Sequence, residues 1–294
     1  MIRTKVWGAV LACGLFASCE EIGPAINFVD VQAQADDTTY ILSTIPAQEA
    51  RRVFVEEFTG VSCPNCPAGH NILKAAKVAA GERMISVAYY KTGTPLTAPR
   101  PTTDDDFRMQ LANDIDGTIF GGMAGSLPIA GVDRAVYSSK TLIDRALWSS
   151  TITNRLSVPA KANLTVTSTY DEATKKVKAT ITATFPEALD KKVYVTIGMY
   201  QDSIIDAQED QVLGELEDYV HNHVFRQMIT PTAQNGVELG TTGMYEAGRV
   251  YVRSFTADVN DPRYVAEHCR IFAVLHYMDG SSKEVLQAAE VHMK

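Results

Sequence analysis

The stretch Cys63-Pro64-Asn65-Cys66 constrains this chain of 294 residues more than any other feature, because of what flanks it. Ahead of it, Val53-Phe-Val-Glu-Glu-Phe58 is a short apolar run ending in Thr59-Gly60, as a buried strand ends. Behind it, Pro67 to Ala80 places Ile72, Leu73, Ala76 and Val78 as the apolar positions of a helix that stops at Gly81. A thiol at such a junction feels the positive end of the helix dipole and unpaired backbone N–H groups, and both favour the thiolate. Pro64 suits the first helical turn, where its missing N–H costs nothing. The spacing lets one sulfur attack a partner disulfide while the second resolves the mixed disulfide. Cys63 is therefore expected as the attacking thiol and Cys66 as the resolving thiol of a redox pair.

The other cysteines are placed by their surroundings. Met1-Ile-Arg-Thr-Lys5 supplies a positive start, and the apolar run Val6 to Phe16 suits a secretory leader but is too short to span a bilayer. Phe16-Ala17-Ser18-Cys19 resembles a bacterial lipobox, so residues 1–18 are expected to be removed and Cys19 to carry the lipid. The alternatives are an ordinary secretory cleavage site and lipidation at Cys13, which would leave a very short apolar region. Glu20 and Glu21 after Cys19 resemble the surface-export signal of Bacteroidetes lipoproteins, or else begin a solvated tether, which the polar stretch Gln32 to Thr39 supports. Residues 19–48 are read as that tether. Several acyl chains at about 0.8 kcal/mol per buried methylene hold a protein to a membrane without a transmembrane helix. Removing Arg3 and Lys5 leaves 25 basic residues against 35 acidic ones, a charge of about −10. Such an acidic body lacks the basic footprint that nucleic-acid binding needs.

Two textures follow. Residues 49–158 alternate strand-like and helix-like segments: the strand and helix around the cysteines, a strand at Met84 to Tyr90, a Thr- and Pro-rich loop from Lys91 to Thr103, a helix from Asp104 to Ile119, a strand entered through Leu127-Pro128, and an amphipathic helix from Thr141 to Leu156. That order predicts an α/β layer with helices on a mixed sheet. Residues 159–294 alternate apolar and polar positions, as in Val177, Ala179, Ile181 and Ala183, with turn signals between the runs. They predict an antiparallel sheet or sandwich, with one or two short helices in the irregular segment Asp202 to Gly243.

The position of the C-x-x-C pair is a strong thioredoxin-like signal. Glu57, six residues before Cys63, resembles the buried carboxylate that takes a proton from the second Cys of thioredoxins, although a carboxylate at a strand end is ordinarily solvated. Leu127-Pro128 occupies the place of the cis-proline that packs against a thioredoxin disulfide; a trans proline opening an edge strand is the alternative. The longer gap before it points to an insertion around 91–119. Val61-Ser62 stands where thioredoxins commonly carry Trp, and Pro-Asn between the cysteines leaves the redox direction open.

Val55-Glu-Glu-Phe-Thr-Gly60 running into Cys63-Pro-Asn-Cys66-Pro67, with Gly131-Val-Asp-Arg134 after Leu127-Pro128, resembles the small outer-membrane lipoprotein family of Bacteroidetes described from Porphyromonas. Tyr219-Val-His-Asn-His-Val-Phe-Arg226 resembles that family's second recurrent motif. The resemblance implies an α+β protein, a thioredoxin-like domain followed by an antiparallel β-sandwich-like domain, on an outer-membrane lipid anchor. It implies no particular activity.

Cys63, Cys66 and His70 with His221 and His223 offer soft metal ligands, but no second C-x-x-C completes a structural zinc pattern, and no metal is expected. His70, one helical turn past Cys66, could tune the thiol or face water, and the latter is the default reading. Cys269 heads a strand as a buried small hydrophobe. No phosphate loop, serine-hydrolase elbow or zincin motif occurs, so no cofactor is expected. The leading expectation is an outer-membrane lipoprotein that exchanges disulfides with exported proteins through Cys63 and Cys66, with Glu57 as proton relay and Pro128 shaping the partner groove. The alternative is a surface-exposed binding or adhesion lipoprotein in which the same disulfide is structural.

Overall fold

The computed structural model describes residues 37–294 except 232, 233 and 281; the leader, Cys13, Cys19 and Glu20-Glu21 lie outside the described residues. In chain order the strands and helices are β1 (Asp37–Ile41), β2 (Val53–Thr59), α1 (Cys66–Ala80), β3 (Met84–Tyr90), α2 (Gln110–Phe120), β4 (Ile129–Val132), β5 (Leu142–Asp144), α3 (Trp148–Leu156), β6 (Asn163–Asp171), β7 (Lys176–Thr184) and β8 (Val193–Gln201). They continue with β9 (Ile204–Asp210), β10 (Gly214–His221), β11 (Val224–Met228), β12 (Val237–Glu238), β13 (Arg249–Asp258), β14 (Cys269–Tyr277) and β15 (Val285–His292).

β2 and β3 are buried at every residue, as parallel strands covered on both faces are, and they pair in parallel across α1. β4 adds to β2 antiparallel, with Glu57 opposite Ala130, and β5 adds to β4. The resulting order β3-β2-β4-β5 is that of a thioredoxin-like domain. α1 and α3 cover one face, where Leu73, Trp148 and Ile152 pack on Val53 and Val55. α2 covers the other through Ile115 and Ile119 on Phe54 and Phe58.

The later strands form a sandwich. β7 buries Val177, Ala179, Ile181 and Ala183 and turns Lys176 and Lys178 outward, the period of two that the sequence displays. The four-stranded sheet β1-β13-β7-β6 packs through these residues on Val195, Ile197, Ile271 and Ala273 of β8 and β14. Cys269 lies in this core, where burial pushes its thiol up to about 12.

The expected boundary near residue 158 falls inside one compact unit. β11 pairs antiparallel with β8 and parallel with β3, so a single nine-stranded sheet runs across both halves. Phe54 stacks on Phe272 with ring centroids 5.4 Å apart. Arg51 donates to the carbonyls of Val158, Pro159 and Val285, each at 3.0 Å. Phe54, Phe58 and Ile85 share one core cluster with Phe225, Phe272 and Val274 across that boundary, and a change of texture along the chain does not reveal it.

Four local expectations are corrected. Asp37–Ile41, read as part of the tether, is a strand on β13; main-chain pairing holds it, and its side chains are mostly exposed. The helix expected from Asp104 begins at Gln110, because the amides of Asp104 and Asp105 donate to the remote carboxylate of Asp206. Leu142 and Ile143, whose spacing suits a helix, are β5, paired with Gly131 and Ala130, and α3 begins only at Trp148. The segment from Asp202 to Gly243 holds strands and no helix among its described residues.

Candidate functional site

The loop between β2 and α1 is fixed before it reaches the cysteines. A side chain on Gly60 would place Cβ 2.2 Å from Leu96 O, so only glycine lets the two backbones pass. Ser62 then donates from its amide to Leu96 O at 3.0 Å and from Oγ to Ala98 O at 2.7 Å. Cys63 N donates to Gly60 O and Cys66 N to Cys63 O, both at 3.1 Å. The two sulfurs are bonded to each other, with Cα atoms 5.4 Å apart, and Cys66 is the first residue of α1. Arg145 donates from Nη1 to Asn65 O at 2.7 Å and adds a positive charge beside the helix start. Cys63 is only 1% exposed and Cys66 0%.

The Leu127–Pro128 peptide is cis. Pro128 packs on α1 one turn beyond Cys66: a Cβ on Gly69 would lie 2.9 Å from Pro128 Cγ and 3.1 Å from Trp148 Cζ3. Gly69→Ala is expected to cost about 1–3 kcal/mol, because neither ring can retreat from a packed core. Thermal unfolding reads this directly, and an unchanged Tm would mean that Pro128 gives way freely.

The adjacent carboxylates Glu56 and Glu57 point to opposite faces of β2 and have opposite surroundings. Glu56 is held by Arg134 in a two-point pair, at 2.7 Å from Nε and 2.9 Å from Nη2. Glu57 is 3% exposed, its Oε1 has no hydrogen-bond partner, and His70 Nε2 stands 3.7 Å away. Burial alone pushes its carboxyl up to about 8. His70 is half-buried and bonded at both nitrogens: Nε2 to Thr59 Oγ1 at 2.9 Å and Nδ1 to Tyr219 OH at 2.8 Å. Burial, then the neighbouring His221 and His223, push its imidazole down to about 3. The water-facing expectation for His70 is thus corrected; β10, far along the chain, covers it.

The Glu57 shift makes a signed prediction. In the unfolded chain the carboxyl ionises near its ordinary value of 4.5, whereas the fold keeps it protonated up to about 8. The favourable contribution of the neutral form is complete below the unfolded value and is lost as pH rises through about 8. In that window stability falls with rising pH, this group contributing up to about 1.4 kcal/mol per pH unit. Glu57→Gln removes the slope, so the urea midpoints of the two proteins separate with rising pH, the variant holding the higher one. Parallel profiles would refute the assignment.

These groups line a cleft of about 690 Å³ that includes Glu57, His70, Lys74, Tyr219 and His221. His221 is buried between Tyr90 OH and Ala207 O, both at 3.2 Å, and burial pushes it down to about 4. His223 Nδ1 lies 3.0 Å from Asp202 Oδ1. No cluster of three or more metal-ligating side chains occurs among the described residues. The structure therefore brings Glu57 together with His70 and with Tyr219 and His221, which the sequence placed in the other half. It also adds Gln208, whose Nε2 donates to Cys63 O at 3.2 Å. The only signal for these was the segment Tyr219 to Arg226, which carried no hint of where it folds.

A family model described as outer membrane protein Omp28 matches residues 122–294, a span that begins after the disulfide. HBP35 of Porphyromonas gingivalis superposes with a TM-score of 0.63 at 17% identity, over 84% of this chain and 77% of its own. A protein of Agrobacterium tumefaciens is 15% identical over 84% of this chain and 97% of its own, with a TM-score of 0.49. A domain of the outer membrane lipoprotein Omp28 from Porphyromonas gingivalis is 20% identical over 46% of this chain and 89% of that domain, with a TM-score of 0.30. No curated protein matches the chain. At such identities the HBP35 likeness speaks to the fold alone.

Proposed function

Since the chain belongs to the Omp28 family of outer membrane proteins, we propose that it carries out thiol–disulfide exchange on exported proteins at the outer membrane, held there by a lipid on Cys19. The observations that carry this reading are the Cys63–Cys66 disulfide at the head of α1 and, on the strand that leads into it, Glu57, a buried carboxyl with an unpartnered oxygen. In the reduced protein the Cys63 thiolate attacks one sulfur of a client disulfide, forming the Cys63–client bond and releasing a client thiolate. In molecules whose Glu57 is ionised, Cys66 gives its proton to that carboxylate and attacks the Cys63 sulfur; the mixed disulfide breaks and the second client thiolate leaves. The client gains two electrons and the cysteine pair loses two. Run backwards, the same steps oxidise a client dithiol. Glu57 suits the proton transfer because about 8 is close to the ordinary thiol value of about 8.5. Pro128, packed on α1, shapes the client groove.

One observation favours the second reading, a surface-exposed binding lipoprotein with a structural disulfide: both sulfurs are almost wholly buried. Two measurements on the purified mature protein separate the readings. Catalysed reduction of insulin, with a potential above about −300 mV, supports exchange. A potential well below that value and no catalysis support the structural bond.

A further inference from the structure

The hairpin β9–β10 pairs with no other strand among the described residues; what it touches instead is the loop that carries the disulfide. Glu209 N donates to Val61 O at 2.8 Å, and Gln211 N donates to Pro64 O at 2.9 Å. Glu209, in β9, and Gln211, at the start of the turn that follows it, thus offer two amides two residues apart to the loop's carbonyls, as an added segment binds a backbone edge. Between them Gln208, itself buried, reaches Gly60 O and Cys63 O with one amide nitrogen, each at 3.2 Å. Arg100 ties the outer side down, pairing with Glu209 at 2.7 Å and Glu215 at 2.5 Å. Tyr219 OH fastens the second strand to His70 at 2.8 Å.

The feet of the hairpin differ from its body. Ser203 and His223 stand at φ +58° and +59°, in the left-handed region that disfavours non-glycine residues. They are linked across the base, Ser203 N donating to Asn222 Oδ1 at 3.1 Å and His223 N to Asp202 Oδ1 at 2.8 Å. Backbone strain concentrated at two opposed points marks a hinge, and the bonds over the disulfide loop are what the hinge works against.

We propose that β9–β10 is a strap that fills, as an intramolecular strand, the place an extended client polypeptide takes over Cys63, and that exchange requires it to lift. The client part rests on the exchange reading above; the cover itself does not. The carbonyls of Val61 and Pro64 accept backbone amides and no particular side chain, so the partner is an unfolded or extended polypeptide, recognised by its main chain. The buried state of Cys63 then describes the closed strap rather than an inert bond.

The test uses the mature chain and two variants, Arg100→Ala at the outer edge and Gln208→Ala beneath. The rate at which dithiothreitol reduces Cys63–Cys66 is followed together with hydrogen exchange at the amides of Glu209 and Gln211. Losing one or two hydrogen bonds to the loop should speed reduction about tenfold and lower protection at both amides by the same factor. Arg100 is partly exposed and lies outside the apolar core, so its variant reports even if Gln208→Ala fails to fold. Protection lost with no gain in reduction rate overturns the strap, as does rapid reduction while both amides stay protected. If reduction and exchange move together but no variant reduces insulin, the strap stands and the exchange reading falls.

Discussion

Asp133→Ala is expected to lower the free energy of unfolding by about 3–5 kcal/mol, the cost of removing one partner from a buried ion cluster. Asp133 is wholly buried and accepts three bonds: Arg51 Nη1 at 3.0 Å, Arg155 Nε at 2.8 Å and Phe54 N at 2.8 Å. Alanine leaves two guanidinium groups without their shared counter-charge and one strand amide without an acceptor. Burial pushes the Asp133 carboxyl up while Arg155 and Arg51 pull it down, so the cluster is closely balanced and sensitive to the loss of either sign. The effect extends past the site, because Arg51 also holds the segment at Val158 and Pro159 and the start of β15. Urea unfolding should show a lower midpoint with an unchanged slope, the signature of lost stability without a change in exposed surface. A loss below about 1 kcal/mol would mean that water replaces the carboxylate.

Cys66→Ser is expected to accumulate a covalent complex with client proteins through Cys63, whereas Cys63→Ser should form none and fall to the uncatalysed rate of insulin reduction. The asymmetry follows from the order of the steps. Cys63 forms the mixed disulfide, and without Cys66 nothing inside the protein resolves it. Non-reducing gels of membranes from cells carrying each variant read the complex, and dithiothreitol should dissolve it. Trapping by Cys63→Ser alone would exchange the roles of the two thiols, and equal trapping would mean that either can attack. No trapping by either, with a potential far below about −300 mV, would leave a structural disulfide.

Much of the thioredoxin-like frame is legible in the sequence. β3 runs over the expected residues, and α1 begins at Cys66, one residue before the expected start. Both rest on local causes, an apolar run and a helix bounded by Pro67 and Gly81. β5 was hidden because three residues carry too little pattern to separate a strand from a helix, and its partner β4 decides the matter. The hairpin β9–β10 was hidden because β10 is mostly exposed and shows no buried face to read; its order comes from pairing with β9 and from the disulfide loop.

The sequence by itself determined the chemistry at hand: two thiols at a strand–helix junction, a carboxyl six residues before the first of them and a proline entering β4. Spacing along one strand and one helix fixes these, because backbone geometry over a few residues is local. Only the tertiary structure decided what that chemistry can do. Glu57 holds its proton to about 8 because the fold excludes water there. His70 meets Tyr219, 149 residues away, and Cys63 lies under a hairpin from the other half of the chain. Solvent exclusion and access depend on which distant surfaces close over a group, and no spacing within a short segment encodes that.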